Sequence, residues 1–242
     1  MMASHVNVVI PKKSNFSGLA ELLSDLSRDP AVDTICIVAD GQNTYDTLPD
    51  PSDGIIKVVV PEGVGIHKMW NRGIEAVGRE SHIAFLNDDV RLEQHCLSSL
   101  SDSLDNDPTI GIICPNYTSI DMNEDRRVLN TCGSRYDGTG GLAGFAMMLR
   151  SDLVKVWNFD ENLTWWYGDD DILMWVTRTM GMHAVISHTL TANTPTVSLS
   201  EPTHQPTLVN SSPLTANTFK TSGSEYQPLR FNRHTTGRTS KC

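Results

Sequence analysis

Short apolar segments rich in Val and Ile alternate with segments of helical periodicity through the first half of the chain, and this alternation constrains the fold more than any other feature. In the helical segments apolar residues recur every three or four positions, as the leucines between residues 19 and 26 do. The predicted order is strand, helix, strand, strand, helix, strand, helix and strand, over residues 6–10, 17–26, 34–42, 54–63, 65–77, 82–86, 92–104 and 109–115. Such alternation predicts an α/β fold whose sheet is largely parallel and has helices on both faces.

Polar loops follow the carboxyl ends of three predicted strands. Residues 11–15 follow the first strand, and Asp40 and Gly41 follow the second. The fourth strand, in HIAFLNDDV, runs from four apolar residues directly into residues 87–89. Ligands of open α/β sheets bind outside the carboxyl ends of the strands. We therefore predict a binding site at the edge where these three loops meet.

The adjacent carboxylates of Asp88 and Asp89 have two interpretations. They repel each other and are partly desolvated at a strand end, so a bound cation would offset their cost. Ligand sets made only of oxygen favour Mg²⁺ or Mn²⁺ over zinc, and such ions commonly bridge carboxylates to phosphates. In the alternative interpretation the loop is a solvated turn, in which an aspartate caps the next helix.

A second acidic cluster lies in WWYGDDDILMWV, residues 165–176. Aspartates in a first helical turn interact favourably with the helix dipole, so capping is one interpretation. Three aspartates are more than a cap requires. Aromatic faces stack on the C–H surfaces of sugars, and a carboxylate can remove a proton from a hydroxyl group. The cluster is therefore also typical of a sugar-binding site.

The composition fits a chain with a substantial core and an acidic surface. The 242 residues are 39% hydrophobic and 20% charged, with a formal net charge of -10. This charge disfavours a general binder of nucleic acid or of a membrane surface. No apolar run in the sequence approaches the roughly 18 residues of a membrane span. The five cysteines are odd in number and lack CxxC spacing, so we expect neither a disulfide framework nor a zinc site and predict a cytoplasmic location.

Seven segments occur in the order in which inverting glycosyltransferases of family 2 carry their motifs. These are VVIPKKSN, IVADGQ, GIHKMWNRG, FLNDDV, GGLAGFAMMLR, GDDDI and AVISHTLT. The chain resembles that family from about residue 6 to residue 190. The resemblance implies the GT-A fold, a Rossmann-like three-layer sandwich with a mostly parallel mixed central sheet. This catalytic domain would comprise residues 1–190, and residues 191–242 would form an irregular C-terminal tail.

The resemblance also implies roles for individual residues. A nucleotide-sugar donor would be bound by Pro11, Asp40, Lys68, Asn71 and Asp88, with Asp40 near the nucleobase or ribose and Lys68 near the diphosphate. Mn²⁺ or Mg²⁺ would be held by Asp89 and His188. Asp169, or else Asp170, would be the general base, and the acceptor side would include Trp165, Trp166 and Asp171.

Three positions depart from the family pattern. Ala39 stands where the family often has the first of two aspartates, Asn87 replaces the first aspartate of the metal motif, and Gly168 replaces the glutamate of the acceptor motif. Two other functions therefore stay open beside metal-dependent sugar transfer with inversion. One is a sugar-nucleotide nucleotidyltransferase, which shares the sheet and the acidic metal site. The other is a non-catalytic carbohydrate-binding protein on a transferase scaffold.

The acceptor and the tail are the least constrained features. The acceptor hydroxyl could belong to a glycan, a protein, a lipid carrier or a modified nucleic acid. From about residue 190 the chain is rich in Thr, Ser, Pro and Asn and lacks the apolar density of a second core. We interpret this tail as an extended arm or a disordered segment. Alternatively, it covers the active site or joins copies of the chain into a homo-oligomer.

Overall fold

The computed structural model describes residues 5–13, 18–117, 122–129, 131, 141–163 and 168–193. The strands are β1 Val6–Lys12, β2 Val32–Asp40, β3 Ile55–Val60, β4 His82–Leu86, β5 Arg91–Leu92, β6 Ile110–Asn116, β7 Arg126–Val128, β8 Ala146–Leu149 and β9 His183–Asn193. The helices are α1 Leu19–Leu26, α2 Gln42–Asp46, α3 Ile66–Val77, α4 Cys96–Asn106, α5 Ser151–Val154 and α6 Gly168–Met174. A π-helical turn, Trp175–Thr179, continues α6.

The described strands form a mixed sheet in the order β3-β2-β1-β4-β8-β6-β9-β5, with β7 paired to β9. Strands β1 to β4 are mutually parallel where they pair, and β9 is parallel to β6. Strand β8 is antiparallel to both β4 and β6, and β5 and β7 are antiparallel to β9. The prediction of a mostly parallel mixed sheet is confirmed.

Two hydrophobic clusters cover the two faces of the sheet. Because side chains alternate along a strand, Val8 and Ile10 of β1 belong to the first cluster and Val9 to the second. Helices α1 and α4 pack in the first cluster, while α3, α5 and α6 pack in the second. The predicted three layers of helix, sheet and helix are thus present.

Several predicted boundaries differ from the structure, and two of these differences have a local explanation. Strand β1 does not end at Pro11: its pairing with β4 stops at Val9, but its pairing with β2 continues through Lys12. The missing N–H of Pro11 is tolerated because the side of β1 that faces β4 no longer forms backbone hydrogen bonds at this residue. The helix predicted from residue 92 begins only at Cys96. Arg91 and Leu92 pair with β9 instead, and His95 enters the helix in a left-handed conformation with φ 62°.

The last described strand, β9, extends the sheet beyond the predicted domain boundary. Strand β9 continues to Asn193, so it crosses the predicted domain boundary at residue 190. Residues 194–242 lie outside the described part, and the predicted arm stays a prediction. Within the described residues, no helix combines the length and apolar character that crossing a membrane requires.

Candidate active site

The carboxyl ends of β1, β2 and β4 bring the predicted polar loops to one edge of the sheet. Lys12, the last residue of β1, is buried and forms an ion pair with Asp88 in the turn after β4. The loops that follow two different strands are therefore in direct contact. The ion pair also offsets one of the two adjacent negative charges in this turn.

Asp89 lies beneath the start of α1. A β-carbon added at Gly18 would be 2.7 Å from the Cα of Asp89, so only glycine allows the helix to approach this closely. Oδ1 of Asp89 is buried and has no hydrogen-bond partner. Burial, together with the charge of Asp88, raises the pKa of Asp89. A buried carboxylate oxygen without a protein partner suits a ligand that brings its own positive charge.

The second acidic cluster reaches the same edge through the turn before β8. The backbone N–H of Asn87 donates to the carbonyl of Phe145 at 2.8 Å. The preceding residue, Gly144, lies directly against Asp169, since an added β-carbon would be 2.6 Å from Oδ2 of that residue. Two residues of the β8 turn thus connect the Asn87–Asp89 turn to Asp169.

The three aspartates of α6 differ in their surroundings. Burial and the charge of Asp170 raise the pKa of Asp169, whereas backbone hydrogen bonds at Asp169 and Asp170 and, least, the charge of His67 oppose this rise. Oδ1 of Asp170 instead accepts a hydrogen bond from Oγ1 of Thr131 at 2.9 Å. Burial and then Asp160 raise the pKa of Asp171. A partly buried carboxylate with a raised pKa is a good proton acceptor, which is the property that a general base requires.

Asp40 closes the edge beside β3. Its Oδ1 accepts a hydrogen bond from the backbone N–H of Gly63 at 2.6 Å, which ties the end of β2 to the loop after β3. A cleft of about 460 Å³ opens next to it. The cleft is lined by Gly41, Gln42, Asn43, Val59, Val60, Pro61 and Glu62. Among these only Gly41 belongs to a predicted polar loop, and no sequence pattern singles out the other six.

Two predicted donor-binding residues on α3 contact the loop after α5. The side-chain amide of Asn71 donates to the carbonyl of Phe159 at 2.9 Å and accepts from the Phe159 N–H at 2.9 Å. Both groups of this buried amide are therefore used inside the protein, and the structure gives Asn71 a structural position rather than a donor-binding one. Lys68 is partly exposed, and its Nζ lies 3.7 Å from Oε2 of Glu161.

His188, the predicted second metal ligand, is bound to a different carboxylate. Its backbone N–H and its Nδ1 contact Oδ1 of Asp125 at 2.8 and 2.6 Å. Within the described part of the chain, no group of three or more His, Cys, Asp or Glu side chains is arranged to hold a metal ion. Protein atoms of these residues alone therefore do not complete a coordination shell.

The remaining predicted site residues are Pro11, Trp165 and Trp166. Pro11 is buried in β1 and pairs in register with Val38. Trp165 and Trp166, predicted on the acceptor side, lie outside the described residues.

Sequence comparison assigns the chain to a family. The model of glycosyl transferase family 2 matches residues 7–161, which include β1 to β8 and the Asn87–Asp89 turn. The chain belongs to glycosyl transferase family 2. It therefore carries a glycosyltransferase domain. No curated protein matches the chain.

Solved structures support the same fold. The crystal structure of S. aureus TarS 1–349 is similar with a TM-score of 0.56 and 14% identity, over 78% of this chain and 60% of that one. TarS 1–349 in complex with UDP matches with the same values. GalNAc-T7 with UDP, GalNAc and Mn²⁺ has a TM-score of 0.60 and 12% identity, over 80% of this chain and 44% of that one. The chain thus spans 60% or less of these proteins, and the likeness establishes the GT-A fold.

Two of the departures from the family pattern have a local explanation. Ala39 is fully buried in the first hydrophobic cluster, so a carboxylate there would face an apolar core. Gly168 lies against the buried ring of His67: an added β-carbon would be 2.2 Å from its Nε2. His67 is the residue at this site that sequence reasoning missed, because a single histidine in an amphipathic helix carries no signal of its own.

Proposed function

We propose that the protein transfers a sugar from a nucleotide-sugar donor to an acceptor hydroxyl group, with inversion and with a divalent cation as cofactor. The observation that carries this proposal is the convergence of the two acidic clusters. Asn87 bonds to Phe145, and the adjacent Gly144 touches Asp169. A donor diphosphate and an acceptor hydroxyl bound at these clusters would be neighbours.

The cation fits the Asp88–Asp89 turn. Asp88 is engaged by Lys12, whereas Oδ1 of Asp89 is buried and has no partner. Mn²⁺ or Mg²⁺ would be held by Asp89 and by the donor phosphates, and when bound it would stabilise the charge that develops on the departing diphosphate. His188 would join this set only if its ring also turned toward the donor, since its Nδ1 contacts Asp125.

Asp169 is the proposed general base. Its carboxylate takes the proton of the acceptor hydroxyl while the acceptor oxygen forms a bond to the anomeric carbon. The bond from that carbon to the diphosphate oxygen breaks, and the electron pair leaves with the nucleoside diphosphate. A single displacement of this kind inverts the anomeric centre. The raised pKa of Asp169 makes it a stronger base than an exposed aspartate.

The donor nucleoside would occupy the region between Asp40 and the cleft beside β3. This placement follows from the position of the cleft at the carboxyl ends of β2 and β3. Lys12 and Asp88 would lie between the nucleoside and the Asp89 cation. UDP-sugars are the first donors to test, because structures of both TarS and GalNAc-T7 contain UDP. Lys68 is partly exposed and stays a proposed diphosphate contact.

The decisive experiment measures nucleoside diphosphate release from UDP-sugars with and without Mn²⁺. We expect Asp169→Asn to lower kcat by about 10²- to 10⁴-fold, the range for removal of a general base. Asp89→Asn should abolish the Mn²⁺ dependence. Asp33→Asn removes an exposed aspartate from β2 and serves as the matched control. NMR of the product anomer reports inversion.

Each alternative function gives a distinct result in that assay. Pyrophosphate formation or consumption would indicate a nucleotidyltransferase. Donor binding without turnover would indicate a non-catalytic protein. If Asp170→Asn rather than Asp169→Asn removed activity, the base would be Asp170 and its bond to Thr131 would break on substrate binding.

The cellular setting is part of the proposal. Cys36 and Cys96 are buried and free, as expected in a reducing compartment. We propose a cytoplasmic location and a glycan, protein or other hydroxyl acceptor.

A homo-oligomer formed through residues 191–242 is tested by comparing the oligomeric state of the chain with and without these residues.

A further inference from the structure

His67 occupies an unusual position for a titratable side chain. It lies in the first turn of α3, and its ring is fully buried. The ring makes an edge contact with Trp70, at 5.6 Å between centroids, and lies 6.2 Å from the ring of Phe159. An aromatic pocket thus surrounds an imidazole that belongs to none of the predicted sites.

The two ring nitrogens of His67 face two different residues, Leu163 and Gly168. Nδ1 contacts the carbonyl oxygen of Leu163. A carbonyl only accepts, so Nδ1 carries the proton and donates it. Nε2 is buried without a hydrogen-bond partner and faces Gly168, where an added β-carbon would be 2.2 Å away. The ring therefore fills the space in which any side chain at position 168 would begin.

We propose that His67 is a positioning residue for Asp169: its ring, held between the Leu163 carbonyl and the backbone of Gly168, fixes where α6 begins and so where the Asp169 carboxylate stands. The role in catalysis rests on the proposed function, whereas the contacts do not. Asp169 immediately follows Gly168, so a shift of the helix start moves the carboxylate by the same amount. Misplacement of a reacting group by about 1 Å can cost about 100-fold in rate.

The charges around the ring add a second effect. Burial raises the pKa of Asp169 and Asp171, and hydrogen bonds from Asn162 lower that of Asp160; a smaller lowering influence on all three comes from the charge of His67. Lys68, also on α3, pairs with Glu161. Loss of the imidazole would therefore change both the burial and the charge that act on the pKa of Asp169, as well as release the start of α6.

The first test uses thermal unfolding of the full chain and needs no substrate. Gly168→Ala should lower the melting temperature, because its β-carbon overlaps the ring. His67→Ala removes the ring and opens that space. We expect the double variant His67→Ala/Gly168→Ala to melt at or above the temperature of Gly168→Ala alone. Additive losses would overturn the proposed contact.

The second test compares His67→Asn with His67→Ala. Asparagine can still donate to the Leu163 carbonyl, whereas alanine cannot. We expect His67→Ala to lower kcat about 10- to 100-fold with the KM for the donor changed less than about twofold. His67→Asn should recover part of that loss. A smaller folded fraction also lowers the apparent kcat at constant KM, so kcat is divided by the folded fraction measured by circular dichroism. A purely structural role would leave this corrected kcat of His67→Ala equal to that of the wild type.

A carboxyl ¹³C NMR titration of Asp169, assigned with Asp169→Asn, completes the experiment. We expect its midpoint to shift in His67→Ala, because the burial and the charge that act on the carboxylate both change. Unchanged Asp169 titration together with additive melting losses would overturn the role of His67 while leaving an active wild-type enzyme in place. A wild-type protein that never transfers sugar, but shows the coupled melting and the shifted titration, would instead refute the proposed function and leave the positioning of Asp169 intact.

Discussion

At the scale of single residues, adjacent aspartates have different chemistry because their neighbours differ. Asp88 is paired with Lys12, whereas Asp89 is buried with an unpartnered oxygen. In the same way Asp170 accepts from Thr131, whereas Asp169 touches the backbone at Gly144. In the first pair Asp88 is neutralised and an oxygen of Asp89 is left for a ligand, and in the second pair Asp170 is bonded to Thr131 whereas burial raises the pKa of Asp169. Residue type alone does not distinguish the members of either pair.

The pH dependence of kcat should report Asp169. A general base acts only when deprotonated, so activity falls as the pH falls through its pKa. Burial raises this pKa above the ordinary aspartate value of 3.8, so the acidic limb of the profile should lie above that value. The measurement is kcat against pH with saturating donor. A limb at or below 3.8 would contradict the assignment of Asp169.

At the scale of elements, α4 depends on a cap from another part of the chain. No side chain within the helix start caps it. Asp29 supplies the cap instead: Oδ2 accepts from the N–H groups of Leu97 at 2.8 Å and Ser98 at 3.2 Å, and Oδ1 accepts from the Ser98 hydroxyl. The loop after α1 thereby holds the start of α4 on the same face of the sheet.

Asp29→Ala should destabilise the protein by about 1–2 kcal/mol, because the N–H groups at the start of α4 lose their acceptor. For a chain of this size the melting temperature should fall by roughly 2–8 °C. Asp33→Ala removes the same charge from an exposed position on β2 and should have little effect. Equal losses in the two variants would show that charge rather than capping is responsible.

The packing of α3 on β1 depends on Gly73. A β-carbon there would lie 2.2 Å from Cγ1 of Val9. Gly73→Ala should therefore cost about 1–3 kcal/mol by overpacking, although alanine is the better helix former. Arg72→Ala, on the exposed side of the same helix, is the control. A stabilised Gly73→Ala protein in chemical denaturation would refute this close contact.

At the scale of the whole molecule, the sheet brings distant segments to one edge. Residues 12, 40 and 87–89 meet there because β1, β2 and β4 are parallel. Strand β8 runs in the opposite direction, so it is its beginning that reaches this edge, and Gly144 meets α6 there. The reversal of one strand is what allows the second acidic cluster to join the first.

Cation binding at this edge should be visible in global unfolding. At neutral pH the charged form of Asp89 is disfavoured in the folded state, as its raised pKa indicates. Asp89→Asn should therefore raise the melting temperature in metal-free buffer. Mn²⁺ with UDP should raise the melting temperature of the wild type, because a ligand bound to the native state stabilises it. The melting temperature of Asp89→Asn should not change when Mn²⁺ and UDP are added. Equal Mn²⁺ shifts in both proteins would place the cation elsewhere.

The sequence by itself determined the class of the fold and the edge of the sheet at which its polar loops meet. Periodicity is a local property that reflects burial, so the alternation of strands and helices predicted the three layers and the main strands within a few residues. The rule that sites lie at the carboxyl ends of parallel strands then located Asp40 and the Asn87–Asp89 turn.

Only the tertiary structure decided which side chains remain for a ligand. The side chain of Asn71 is hydrogen-bonded to the backbone of Phe159, and that of His188 is hydrogen-bonded to Asp125. The ring of His67 is packed against Gly168. Each of these pairs joins segments that are far apart in the sequence, and their partners depend on how the chain crosses itself. A local pattern carries no information about such contacts, because hydrogen bonding and close packing are settled only when the layers assemble.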